Sequence, residues 1–146
     1  MIIISEINKK NYELCFDFDS TTISLWSINQ WKNELNKKGV KVFGLSLSNQ
    51  VIGICSFQII TDEIQINYFS VNKKFRRKGY GTSLMNHVIK QCELFKVKKL
   101  LLEVSDTNFA ALKFYRKFKF LTVGIRKNYY KDGTDSLLKE KIFTNQ

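Results

Sequence analysis

The sequence predicts one α/β domain, a mixed central sheet of about six to seven strands with about four helices packed on it. Three observations carry this. Short β-rich runs recur along most of the chain. In the middle, a strand, a long amphipathic helix and a second strand follow one another, which implies a right-handed crossover and a locally parallel pair. Outside that unit, neighbouring strands are joined by short turns, which implies antiparallel pairing. A chain of 146 residues that is 44% hydrophobic suits a single core. There is no Pro/Gly/Ser-rich linker, repeat or long block of like charge, so residues 1–146 read as one domain.

Each element has a local reason. The apolar residues 2–4 suit a short first strand, and helical segments follow at about 8–19 and 27–38. The second helix has Ser27 as its N-cap and Ile28, Trp31 and Leu35 on one stripe. Residues 41–47 and 51–60 read as strands joined at Ser48-Asn49-Gln50, a hairpin signal without the usual Asn-Gly. A turn at Thr61-Asp62-Glu63 leads to a fourth strand at 64–71, which opens on the alternating pair Ile64 and Ile66. Leu84, Met85, Val88, Ile89, Cys92 and Phe95 then fall at three- and four-residue spacing, the strongest helix in the chain. Residues 99–104 form an apolar β-rich run closed by Ser105-Asp106-Thr107-Asn108. Residues 109–118 form a helix with Ala111, Phe114, Tyr115 and Phe118 inward. Strands at about 121–129 and 136–143, joined by Lys131-Asp132-Gly133-Thr134, finish the chain.

Composition narrows the function classes. No apolar run approaches the roughly 18 residues of a membrane span. The opening Met1-Ile2-Ile3-Ile4-Ser5-Glu6 turns acidic too early for a secretory signal. Cys15, Cys55 and Cys92 form no Cys-x-x-Cys, and buried free thiols in a reducing, cytoplasmic compartment are expected. No His/Cys/Asp/Glu cluster has metal-ligand spacing, so no metal is expected. His87 lies mid-helix and reads as a packing or surface residue. The net charge of +11 favours anionic partners, which suits a polyphosphate ligand or a nucleic acid. Much of the excess is Lys at solvated positions. The scarce arginines Arg76, Arg77, Arg116 and Arg126 are more pointed.

The fourth strand runs into Asn72-Lys73-Lys74-Phe75-Arg76-Arg77-Lys78-Gly79-Tyr80-Gly81-Thr82 and then the long helix. Gly79 and Gly81 leave the first-turn N–H groups uncovered, and such a helix mouth binds phosphate. Arg76, Arg77 and Lys78 deepen the positive field. The segment is neither a Walker loop nor Gly-x-Gly-x-x-Gly.

Arg76-x-x-Gly79-x-Gly81 after a strand resembles the acyl-coenzyme A signature of the GCN5-related N-acetyltransferases (GNAT). Within them, the chain resembles the RimI-type branch that acetylates protein N-termini. The supporting stretches are Trp26-Ser27, Asp62-Glu63, Phe69-Ser70-Val71, Leu102-Glu103-Val104, Asn108-x-x-Ala111, Phe114-Tyr115, Arg126-Lys127-Asn128-Tyr129-Tyr130 and Asp135-Ser136. The match covers about residues 26–143. Departures from the family pattern are Leu25, Lys73, Ser105 and Leu138, with Lys96 and Lys119 where Gly is expected after the two central helices.

The resemblance implies a GNAT-type fold and direct acetyl transfer from acetyl-coenzyme A to an amine, with no covalent acyl-enzyme and no role for the cysteines. It assigns the general base to Glu103, acting through water, with Glu63 as rival, and the acid that protonates the leaving thiolate to Tyr115. Backbone N–H groups from Arg77, Lys78, Gly79, Tyr80, Gly81 and Thr82 would hold the pyrophosphate, beside Arg76. Phe69, Ser70 and Val71 would line the pantetheine, with the Val71 N–H as oxyanion donor. Asn108 would touch the pantetheine arm or cap its helix. The acceptor implied is the α-amine of a protein, such as a small-subunit ribosomal protein beginning with Ala, framed by Tyr129, Tyr130 and Asp135. Two alternatives stay open: a small-molecule amine or lysine acetyltransferase on the same scaffold, and a non-catalytic basic nucleic-acid-binding module. No direct nucleic-acid role is expected.

Overall fold

The computed structural model describes residues 1–143. Its strands, in chain order, are β1 (Ile2–Glu6), β2 (Val40–Leu47), β3 (Gln50–Ile60), β4 (Glu63–Val71), β5 (Lys99–Ser105), β6 (Leu121–Arg126) and β7 (Ser136–Ile142). The helices are α1 (Tyr12–Ser20), α2 (Ile28–Asn36), α3 (Tyr80–Leu94) and α4 (Phe109–Lys117). One seven-stranded sheet runs in the order β1-β2-β3-β4-β5-β7-β6. Among the described strands, only β4 and β5 are parallel, as the crossover through α3 requires. The strand β7 lies inside the sheet, leaving β6 as an edge with Leu121, Val123 and Ile125 exposed.

Two cores fill the two faces. One packs α3 and α4 on the sheet through Leu84, Met85, Val88, Cys92 and Tyr115 against Cys55, Phe57, Ile64, Leu100 and Leu102. The other packs α1 and α2 through Cys15, Phe18, Trp31 and Leu35 against Val42, Ile54 and Tyr68. All three thiols are free and buried.

The local chemistry follows the sequence closely, with instructive differences. Ser27 caps α2 in a reciprocal capping box with Gln30. Of the expected α2 stripe, Trp31 and Leu35 are buried while Ile28 is 40% exposed. The helix expected from residue 8 begins as a 3₁₀ turn, Lys9–Asn11. The β2–β3 turn uses Ser48 and Asn49 at φ 50° and 66°, the paired positive φ of a type I′ hairpin without glycine. Phe95, expected inside, is 41% exposed because α3 ends beneath it.

Both central helices stop in the same way. After α3, the Lys96 N–H donates to the Glu93 carbonyl and the Val97 N–H to the Cys92 carbonyl. After α4, Lys119 donates to Arg116 and Phe120 to Tyr115. These are Schellman motifs, with Lys96 at φ 54° and Lys119 at φ 65° in the position that favours glycine.

Candidate active site

The sheet opens in its middle. The pairing of β4 with β5 runs only from Glu63↔Lys99 to Gln65↔Leu101, after which the strands part. Opposite β3, the register jumps from Ile66↔Phe57 to Tyr68↔Ser56, leaving Asn67 as a bulge residue. The bulge exchanges the faces of β4. Ile64 and Ile66 belong to the α3/α4 core, Tyr68 belongs to the α1/α2 core, and Phe69 packs with α4 through Phe114 at 5.7 Å. The Asn72 N–H donates to the Ile52 carbonyl of β3. By the alternation of an antiparallel ladder, the N–H and C=O groups of Val71 and Phe69 therefore point away from β3, into the gap.

The loop between β4 and α3 supplies donors beside that gap. Gly79, at φ 86°, caps α3 without a side-chain bond, and Arg77 also takes a positive φ of 62°. Among the described residues, no acceptor meets the N–H groups of residues 77 to 82, and the first intrahelical bond is Ser83 to Gly79. Such a concave run of amides with left-handed turns is an anion nest. A Cβ on Gly79 would meet nothing within 4 Å, so this mouth is open. One on Gly81 would touch Phe114 at 3.4 Å and Val71 at 3.9 Å, so a larger side chain there would push into the gap's wall. The Arg76 Nε donates to the Val71 carbonyl at 2.9 Å. Arg76 thus satisfies the end of β4. Lys78 sits over the Phe75 ring. The donor set would suit a diphosphate, with amides as its direct partners and the side chains adding positive field.

Glu103 lies on β5 between Leu102 and Val104, which face α3 and α4, so its carboxylate turns to the other face. There it accepts from Ser136 Oγ at 2.8 Å and pairs with Arg126 at 3.3 Å, remaining 23% exposed. Its immediate partners are polar, a hydroxyl and a guanidinium. Glu63 sits at the closed end of the β4–β5 seam, roughly 20 Å from Phe69 by strand rise, which separates it from the gap.

Tyr115 approaches from the α3/α4 face, 9% exposed, against Phe114 and Phe120. Burial holds its hydroxyl well above the ordinary tyrosine range, with a smaller contribution from neighbouring Cys55. No protein partner for that hydroxyl is found among the described residues. Asn108 caps α4, its Oδ1 accepting from the Ala111 N–H. Ser70 is 5% exposed, with its Oγ unpartnered.

The β6–β7 loop closes over the end of β5. Arg126 lies on the Tyr129 ring, Tyr129 meets Tyr130 edge to face, and Asp135 accepts from the Asn128 N–H at 2.9 Å. Ser105 ties to Thr107 and Thr134. Hydrogen bonds from Thr134 hold the Asp132 carboxyl below the usual range, and the Asn128 N–H does the same for Asp135, with help from Lys127. His87 packs edge-on to Phe43 at 4.4 Å, and burial, reinforced by Lys90, lowers its pKa.

Sequence reasoning missed two buried carboxylates on the α1/α2 face. Asp19 is fully buried and accepts from the Leu25 and Trp26 N–H groups, Trp31 Nε1 and the Tyr68 hydroxyl. Glu34, 5% exposed, accepts from Ser56 Oγ at 2.7 Å and Asn67 Nδ2 at 2.9 Å. Glu34 stands on the same helical stripe as Trp31 and Leu35, and an acid at that position was the signal available.

The chain that carries this parted sheet, bulged strand and amide nest belongs to the Acetyltransferase (GNAT) family, whose sequence model matches residues 4–120. The ribosomal protein bS18-alanine N-acetyltransferase of Haemophilus influenzae is 32% identical over 133 residues, covering 89% of this chain and 88% of its own. The crystal structure of the ribosomal-protein-S18-alanine N-acetyltransferase from Escherichia coli superposes with a TM-score of 0.92 at 24% identity, covering 100% of this chain and 96% of its own. A GNAT acetyltransferase from Elizabethkingia anophelis, solved with acetyl-CoA bound, has the same fold at a TM-score of 0.79 and 22% identity, covering 97% of this chain and 98% of its own.

Proposed function

We propose that this protein, acting as one domain over residues 1–146, transfers the acetyl group of acetyl-coenzyme A to the α-amine of a protein N-terminus. An N-terminal Ala of a small-subunit ribosomal protein is the preferred acceptor. The observation that carries the reading is the arrangement around the gap: amides of residues 77–82 at one end, Glu103 on one face and Tyr115 on the other. The named relative supports the acceptor class.

Bound acetyl-coenzyme A would supply an activated thioester. The chain's own residues do the rest. The nest and Arg76 fix a diphosphate. The Phe69 and Val71 N–H groups, directed into the gap, can bind a developing oxyanion. Glu103, held by Arg126 and Ser136, accepts the amine's proton through water. Tyr115, which keeps its proton well above neutral pH, donates to a departing thiolate. An α-amine, with a pKa of about 7.7–8.0 against about 10.4 for lysine, is far more often neutral at pH 7, so a weak base suffices. Asp132 and Asp135 beside Tyr129 and Tyr130 offer a cationic acceptor local negative charge within an otherwise basic molecule. The buried free thiols suit a reducing, cytoplasmic setting.

The test is intact-mass detection of acetylation across peptides with varied first residues, with polyamines and aminoglycosides alongside. Ala-initiated peptides should gain one acetyl group at the N-terminus, and Glu103→Gln should lower kcat about a hundredfold or more. Acetylation of the small amines alone, or an unchanged kcat and acid-side pH limb in Glu103→Gln, would refute the acceptor or the base respectively.

A further inference from the structure

The bulge in β4 decides which way Phe69 and Val71 present their amides, yet a bulge is a weak point in a ladder. A slip of one residue would restore regular pairing and turn every later side chain to the opposite face. Something must hold the extra residue in place. Asn67, outside the ladder, has its side-chain amide on Glu34 of α2 at 2.9 Å. The same carboxylate oxygen accepts from Ser56 at 2.7 Å, and Ser56 is the β3 residue that faces Tyr68 just past the bulge. One carboxylate therefore ties together both strands at the point where their register jumps. Its other oxygen meets Lys37 at 3.4 Å. The next residue of β4, Tyr68, is held from α1 by Asp19.

This arrangement is costly if stability alone is its purpose. Glu34 is 5% exposed beside Trp31 and Leu35, where an apolar side chain would pack without desolvating a charge. We propose that Glu34 is a positioning residue for acetyl transfer. By clamping Asn67 to Ser56 it fixes the bulge, and with it the direction of the Phe69 and Val71 N–H groups. This rests on the acetyl-transfer reading above. It predicts that losing the clamp lowers turnover while leaving the diphosphate nest, which is built from another segment, able to bind.

The test compares Glu34→Leu and Glu34→Gln with the parent chain, in steady-state kinetics, in calorimetric titration with coenzyme A, and in amide hydrogen exchange without ligand. Glu34→Leu should lower kcat about tenfold or more, because small misplacements near reacting atoms are expensive. Coenzyme A affinity should fall by less than kcat does, since the nest remains. The Ser70 amide, paired towards Ile54, should exchange about tenfold faster or more. Glu34→Gln, which keeps an accepting oxygen, should recover most of the rate. A folded Glu34→Leu with parental kcat, or with Ser70 exchange unchanged, overturns the proposal. If Glu34→Leu does not fold, Ser56→Ala removes one of the clamp's donors and is read in the same way. If the parent chain transfers no acetyl group, the function reading falls by itself, and the exchange arm still decides whether Glu34 holds the bulge.

Discussion

Tyr115 shows how much one side chain depends on its surroundings. Helical periodicity places it inward, and inward it lies, between Phe114 and Phe120. Burial keeps its proton on well into the alkaline range, and the proposed donor role rests on that hydroxyl. Tyr115→Phe should therefore lower kcat about a hundredfold with coenzyme A affinity retained, and the parent kcat should show no alkaline fall near the ordinary tyrosine pKa of about 10. Parallel kinetics and calorimetry across the alkaline range check both. Glu103 was legible as an acid closing an apolar run, but not its partners, because Arg126 and Ser136 reach it from strands far along the chain. Asp19 was illegible for a related reason, and Glu34 showed only as an acid on an apolar stripe. An acid in a short helix ordinarily faces water, and only the tertiary donors that surround these two explain their burial.

Among elements, α3 and α4 border the gap and end in the same strained motif. Lys96 and Lys119, read from the sequence as replacements for cap glycines, do take left-handed conformations. Lys96→Gly and Lys119→Gly should each stabilise by about 1 kcal/mol. Thermal melts should then rise by about 2–4 °C per substitution in a domain of this size. At the other end of α3, Gly81→Leu should press into Phe114 and Val71 and lower coenzyme A affinity about tenfold or more. Circular dichroism should stay helical, and undiminished calorimetric affinity would remove the nest from the site. Strand existence and the parallel pair were readable from apolar runs and connection length. The insertion of β7 between β5 and β6 was not, because partner choice among strands is set by packing over long range.

For the molecule as a whole, the buried thiols set how stability changes in alkali. Burial pushes Cys15 and Cys92 from 9.0 up to about 12, and raises Cys55 further. Above about pH 9 the unfolded chain releases protons that the folded one keeps, so stability falls as pH rises through this window. Each such thiol contributes about 1.4 kcal/mol per pH unit. Urea melts from about pH 8 to about pH 10 should show the decline, and a Cys15→Ala, Cys55→Ala, Cys92→Ala variant should flatten it.

The short seam between β4 and β5 has a mechanical consequence. With so few rungs joining them, the two halves of the sheet resemble leaves on a hinge, with the α3/α4 core packed across both on one face. Thermal motion should concentrate there, so the leaves should breathe along the line of the gap.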